Sequence, residues 1–378
     1  MSRGYLIIRF NGLRMIAKQV SHADTLNALN DFLPSMKSQI KSMVRSVCGQ
    51  HHMPNAIVSR VDEYYSRCID YNIVGGKLAR ARTVCEALKF CQGVQPTPDS
   101  DLFKAAMVLG WSVEILQAFF LIEDDVMDKG ETRRGKPCWY KDSSVGVANA
   151  INDGLLLEQV LYDVIERNEN TKHISVQAHR ILRDASIRTV IGQHLDTCPP
   201  SDVRDFNRDQ WLSVVRFKTA FYTFSLPCEL GILVSGRTFP DSDMSTLRDV
   251  CMLLGELFQA QDDMLDCFGD PSVIGKVGRD IEEGKCTWLW YTAIESTSHK
   301  PELNEALVSL YTSPTRSSDP YIAKRVKELY AEIGIESIFR EYSTGLTADI
   351  HNRINALQSP ELKSLSAWLL SSTMNRTK

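Results

Sequence analysis

Apolar positions recur with a helical period along nearly the whole chain. From Leu102 to Met127 they fall at 102, 103, 106, 109, 113, 116, 120 and 121, the spacing of one face of a 3.6-residue helix. Comparable stretches run over about 36–47, 55–70, 77–91, 148–166, 173–195, 207–236, 243–268, 280–296, 320–340 and 344–357. Breakers separate them: Gly75–Gly76, Gly93 to Pro98, Gly130 to Pro137, Pro199–Pro200, Gly236 to Pro240, Gly269 to Gly278 and Ser313 to Pro320. Few stretches alternate with period two. The pattern predicts an all-α bundle of ten or more helices, several of them long. No repeat of fixed period, linker tract or composition shift divides it, so residues 24–378 read as a single domain.

The first 23 residues stand apart. They hold Arg3, Arg9, Arg14 and Lys18 and no acid, with Tyr5, Leu6, Ile7, Ile8, Phe10, Leu13, Met15 and Ile16 interleaved. That composition suits a mitochondrial transit segment; a flexible extension on a cytoplasmic protein is the alternative. Composition then excludes several classes. The 378 residues are 43% hydrophobic and 24% charged, ordinary for a globular chain. A net charge of −4 argues against nucleic acid as a partner. No uninterrupted apolar run reaches the length of a membrane span; Leu109 to Ile122 contains Glu114 and Gln117. The ten cysteines are scattered without C-x-x-C or zinc spacing, and read as thiols in a reducing compartment. His51–His52 is a poor metal pair, because adjacent helix residues point apart.

The candidate chemistry lies in two acid clusters. Asp124-Asp125-Val126-Met127-Asp128 and Asp262-Asp263-Met264-Leu265-Asp266 are both D-D-x-x-D, begin 138 residues apart, and each ends a long apolar stretch. On a helix Asp124 and Asp128 share a face, as do Asp262 and Asp266. Like charges so placed destabilise a helix unless a cation offsets them. A single copy would read as a solvated helix end; two copies point to a hard cation such as Mg2+, which completes its shell with waters and substrate phosphates. Basic residues accompany both: Arg133-Arg134-Gly135, Gly275-Lys276, Lys218-Thr219, and Gly75-Gly76-Lys77-Leu78-Ala79-Arg80, where Lys77 and Arg80 are expected on one face of an opening helix. Together they describe a site for a polyanionic ligand with an apolar remainder. It is not a nucleotide loop of a familiar kind. Gly269 to Lys276 has five residues between its glycines, Val277 where Ser or Thr is needed, and no preceding strand.

With these motifs the chain resembles the trans-prenyl diphosphate synthases, most closely the farnesyl-producing ones. The resemblance rests on Tyr71-Asn72 with Gly75 to Arg80, Leu109 to Arg134, Ala150 to Asp153, Lys218 to Pro227 and Phe258 to Trp288, and spans roughly residues 30–378. It implies the all-α isoprenoid synthase fold around a central apolar cavity, usually as a homodimer. It further implies condensation of isopentenyl diphosphate with dimethylallyl and geranyl diphosphates. Three Mg2+ ions would be held on the allylic diphosphate by Asp124, Asp125 and Asp128 with the second cluster, Asp262, Asp263 and Asp266; Mn2+ or Co2+ would suit the same oxygens. Arg133, Lys218 and Lys276 would touch that diphosphate, and Thr219 and Gln259 would line the allylic cation. Lys77, Arg80, Gln117 and Arg134, with Arg376, would hold the diphosphate of isopentenyl diphosphate. Phe119 and Phe120 would form the floor that limits product length. The chain departs from the usual pattern at Ala79, at Arg82, and at Glu123, where a small or aliphatic residue is usual. A terpene synthase derived from the same scaffold, a geranyl diphosphate synthase, and a non-catalytic partner subunit, which would typically lack an Asp that both clusters here retain, are the competing readings.

Overall fold

The computed structural model describes residues 22–50, 52–93, 97, 99–270 and 278–375. The transit-like segment up to position 21, His51, Lys276 and Arg376 lie outside the described residues. Helices dominate, as the period predicts. They are α1 His22–Gln50, α2 Asn55–Asn72, α3 Ala79–Gln92, α4 Asp101–Met127, α5 Gly146–Arg167, α6 Ser175–Thr197, α7 Arg208–Val214, α8 Leu226–Ser235, α9 Asp241–Phe268, α10 Asp280–Glu283, α11 Trp288–Ser296, α12 Pro301–Tyr311, α13 Pro320–Ile333, α14 Ile335–Ala356 and α15 Pro360–Met374. A π-helical segment, Val215–Ser225, joins α7 to α8. Among the described residues the sheet is one two-stranded hairpin, Thr132–Arg133 against Lys136–Pro137.

Local chemistry sets several boundaries. Ser100 caps α4 by accepting a hydrogen bond from the Phe103 amide. Asp319 caps α13 through the Tyr321 amide, with Pro320 in the first turn. The structure also revises the sequence reading. The 280–296 stretch is two helices divided at Gly284, which has φ +70°. The 320–340 stretch divides at Gly334, φ +81°. Helices α12 and α15 did not stand out from the pattern. Leu78 is left-handed at φ +50°, so α3 starts at Ala79 and Lys77 lies outside it. The expected helical face shared by Lys77 and Arg80 therefore does not form.

Helix α4 is the axis of the molecule, packed between α3 and α5 and against α8 and α1. Its length and mean hydropathy of 1.8 would pass for a membrane span, but 78% of that window is buried against other helices. On the other side of the site, α9 packs on the π-helical segment, α14 and α15. A separate aromatic core, with Trp211, Trp288, Trp290, Tyr311 and Tyr330, ties α7 to α11–α14. All ten cysteines are free thiols, and all but Cys198 and Cys286 are buried. Two glycines allow the close approaches that build the site. A Cβ on Gly192 of α6 would lie 2.2 Å from the Lys218 amide nitrogen, and one on Gly255 of α9 would lie 2.3 Å from Cβ of Ala220. Their bare backbones let α6 and α9 close on both sides of the π-helical segment.

Candidate active site

The first acid cluster ends α4, with Asp128 at the C-cap. Its acids divide by partner. Asp124 accepts from Nζ of Lys218 at 3.0 Å, Nε2 of Gln193 at 3.0 Å and the Arg133 guanidinium at 3.3 Å. Asp128 accepts from Nζ of Lys285 at 3.0 Å. Asp125 is buried and takes a two-pronged hydrogen bond from Arg133, with Nε at 3.0 Å. The hairpin explains that aim. Arg134 (φ 54°) and Gly135 (φ 74°) form its two-residue turn, the positive-φ pair such a turn needs, and it folds Arg133 back onto the helix end.

Asp196, at the end of α6, completes the network. One of its oxygens accepts from Lys218 at 2.7 Å and from Lys285 at 2.8 Å. The result is an alternating chain Asp124–Lys218–Asp196–Lys285–Asp128. Burial alone would push the Lys218 ammonium down; Asp124, Asp196 and Asp128 outweigh it and hold the group well above its ordinary value. Desolvation likewise favours neutral Asp124, but Lys218 and Arg133 keep it ionised and below the usual carboxylate range. Asp128 is raised, by burial first and by Asp124 second.

The second cluster, on α9, divides in the same way. Asp263 is buried and accepts from the Trp288 amide at 2.7 Å, Nε2 of Gln259 at 2.8 Å and Nε1 of Trp211 at 3.0 Å. Desolvation still pushes its carboxyl up to about 7. Asp266 accepts from the Asp280 amide at 3.1 Å, and Asp262 is half-buried on the same helix. Thr219 donates to Oε1 of Gln259 at 2.9 Å, so Asp263, Gln259 and Thr219 form one relay into the π-helical segment.

A basic corner lies farther along α4. Arg134 donates to the carbonyls of Asn72 and Val74, both at 3.1 Å, and its guanidinium lies over Gly76, where a Cβ would sit 2.9 Å from Nη2. Arg80 donates to the Tyr222 and Thr223 hydroxyls at 2.7 and 2.8 Å, while its buried Nε has no partner. Glu114, buried on α4, accepts from the Ala81 amide at 3.1 Å and anchors the start of α3 there. Gln117 sits one turn on, its Oε1 buried and unpartnered. Phe119 and Phe120 follow, their ring centroids 5.0 Å apart, and Phe120 meets Tyr222 edge-on at 5.5 Å.

The acid–lysine network thus lies at the C-terminal end of α4 and the basic corner beside its middle, with Phe119 and Phe120 between them along the helix. A model of the polyprenyl synthetase family matches residues 62–330. The chain belongs to the polyprenyl synthetase family. Curated relatives include a farnesyl diphosphate synthase of Dictyostelium discoideum, 35% identical over 339 residues and covering 87% of this chain and 85% of that protein. A farnesyl pyrophosphate synthase of Saccharomyces cerevisiae is 35% identical over 320 residues, covering 83% and 88%. Among solved structures, a T. brucei farnesyl diphosphate synthase complexed with a bisphosphonate superposes with a TM-score of 0.82 at 28% identity, covering 94% of this chain and 100% of that one.

In this polyprenyl synthetase the structure adds residues that the sequence pattern does not single out. Gln193, Asp196 and Lys285 are single polar residues without a repeating pattern. Only Lys285 lay within a segment that carried the resemblance, Phe258 to Trp288. Asp125 and Asp263, named with the metal-binding acids, are buried against Arg133 and against the Trp288–Gln259–Trp211 donors, whereas Asp124 and Asp128 remain partly exposed.

Proposed function

We propose that this protein joins isopentenyl diphosphate to dimethylallyl diphosphate and then to geranyl diphosphate, releasing farnesyl diphosphate. The observation that carries the reading is the pairing of two separate charged groups beside one helix: the acid–lysine network at the end of α4, and the corner that Arg80 of α3 and Arg134 of the hairpin form with Gln117. An enzyme that only ionises and cyclises one diphosphate has no use for the second corner. The curated relatives, named farnesyl diphosphate or farnesyl pyrophosphate synthases over most of the chain, support the same product.

The residues present fit a hard divalent cation. Asp124 and Asp128, each with a side chain 21% exposed, offer oxygen donors only. That suits Mg2+, which takes few protein ligands and fills its remaining positions with water and phosphate. We assign Asp124, Asp128 and Asp262 as the holding residues, for three ions, and Asp125 and Asp263 as the acids that fix Arg133 and Gln259. When bound, Mg2+ stabilises the charge that builds on the leaving diphosphate.

The chain's own part is electrostatic and steric. Lys218, held protonated, and Arg133 bring fixed positive charge to the leaving diphosphate as the allylic C–O bond ionises. Thr219, Gln259 and Tyr222 line the place where the allylic cation forms, and the surrounding apolar wall keeps out water that would quench it to an alcohol. Arg80, Arg134 and Lys77 hold the second diphosphate, so that the isopentenyl double bond attacks the cation. The proton then lost passes to the released diphosphate. Purified protein given dimethylallyl and isopentenyl diphosphates with Mg2+ forms farnesyl diphosphate on this reading. Protein that ignores isopentenyl diphosphate and makes hydrocarbon from farnesyl diphosphate alone would be a terpene synthase instead.

Arg80→Ala raises KM for isopentenyl diphosphate about 10- to 150-fold, the loss of one charge-assisted contact of about 1.5–3 kcal/mol, and changes KM for the allylic substrate far less. Equal effects on both constants would remove Arg80 from the homoallylic site. We also propose a homodimer. Val147, Ile151 and Leu155 on α5 line up at four-residue spacing and are exposed, as are Ile187, Val190 and Ile191 on α6. Such a patch calls for a cover. Light scattering that gives the 42.7 kDa monomer mass at micromolar protein would refute it.

A further inference from the structure

Glu123 stands immediately before Asp124 and takes no part in the acid–lysine network. Its Oε1 is buried and has no hydrogen-bond partner. A polar group left this way is costly, and a shape role accounts for it where a charge role does not. The side chain lies against α5 at Gly154. A Cβ built on Gly154 would sit 2.3 Å from Oε1 of Glu123 and 3.3 Å from Cδ2 of Phe119. The bare backbone of Gly154 is thus a notch in α5, shared by the Glu123 carboxyl and the edge of the Phe119 ring.

Helix geometry explains the sharing. Glu123 is four residues after Phe119, so the two share a face, and the Glu123 side chain leans back over the ring. Phe119 in turn packs on Phe120 at 5.0 Å, and Phe120 on Tyr222 at 5.5 Å. The Gly154 notch that Glu123 and Phe119 share is thus linked through Phe119 to Phe120, one helical turn from Asp124.

We propose that Glu123 and Gly154 form a matched pair that sets product length: Gly154 supplies the room, and Glu123 fills it as a wedge that fixes the Phe119 ring as the back of the product cavity. The inference rests on the prenyl-transfer reading, with the two rings as its floor. Emptying the wedge gives the ring room to swing towards α5 and deepens the cavity. Filling the notch pushes ring and carboxyl away from α5 and makes it shallower.

The test is the chain-length distribution made from dimethylallyl and isopentenyl diphosphates with Mg2+, on variants whose thermal melts show them folded. Glu123→Ala raises the twenty-carbon fraction relative to parent. Gly154→Ala raises the ten-carbon fraction. Each shift is expected to be about 10-fold, the low end of what one methylene contributes in an apolar pocket. The double variant Glu123→Ala/Gly154→Ala returns the ratio to within about threefold of parent, because the new methyl occupies the vacated space. Glu123→Gln, equal in shape, keeps the parent ratio, and it decides the matter together with Glu123→Ala if Gly154→Ala does not fold. Phe119→Ala/Phe120→Ala yields products of twenty carbons or more. A parent that makes no farnesyl diphosphate overturns the prenyl-transfer reading itself. A competent parent whose Glu123→Ala ratio is unchanged, whose Glu123→Gln shifts as Glu123→Ala does, or whose ring variant still stops at fifteen carbons overturns the wedge.

Discussion

Asp124→Ala loses at least about 100-fold in turnover at saturating Mg2+ and remains folded, the scale expected when one oriented electrostatic contact to a developing charge is removed. The folded state tolerates the change because no cation is stranded. Lys218 keeps Asp196 at 2.7 Å, and Arg133 keeps Asp125. The Asp124 side chain is 21% exposed, so its removal opens the cluster to water and leaves no sealed void. The thermal midpoint accordingly moves by less than about 5 °C. Steady-state turnover with dimethylallyl and isopentenyl diphosphates, beside a melt of the same sample, measures both. More than about a tenth of the parent rate would remove Asp124 from the reaction. A collapse of the midpoint would make its role structural.

Lys218→Met lowers turnover by a similar factor for a different reason. The substitution keeps the bulk of the side chain and removes the charge that would face the leaving diphosphate. Binding survives better than chemistry, since Arg133 and Lys285 still offer cations to the ground state; the loss is therefore larger in kcat than in KM. The variant also changes the acid limb of stability. Lys218 helps hold both Asp124 and Asp196 below the ordinary carboxylate range. A group with a depressed folded pKa contributes stability that is full above its unfolded value, about 4, and lost as the pH falls through the folded one. The parent thus loses stability on acidification below about pH 4, and Lys218→Met, whose acids have one partner fewer, loses less over that interval. Melts between pH 2 and pH 6 read the difference. A parallel acid limb in the two proteins would mean that Lys218 does not hold these acids ionised.

The site was legible where a side-chain pattern repeats on a helix and obscure where partners meet across the fold. Asp124 with Asp128, and Asp262 with Asp266, could be read from a four-residue spacing. That spacing pairs Asp124 with Asp128 but does not say what holds Asp125 or Asp263. The answer comes from the hairpin turn at Arg134–Gly135, which brings Arg133 onto Asp125, and from Trp211 and Trp288, which close on Asp263. Lys77 is a boundary case: the Gly-Gly before it announces a break, but the left-handed Leu78 that moves the helix start to Ala79 is a decision of packing.

The sequence by itself determined the all-α class, the long central helix and the two acid-bearing helix ends, because these follow from near-neighbour periodicity and need no knowledge of what lies opposite. Only the tertiary structure decided which acids meet lysines. Asp196 is 22 residues before Lys218 and 89 before Lys285, on an element with no acidic repeat. Its place between them exists because Gly192 and Gly255 let α6 and α9 close on a π-helical segment. A one-dimensional pattern carries the phase of each helix about its own axis. It does not carry the distance at which two helices pack, and that distance, set here by bare glycine backbones, places Lys218 between Asp124 and Asp196.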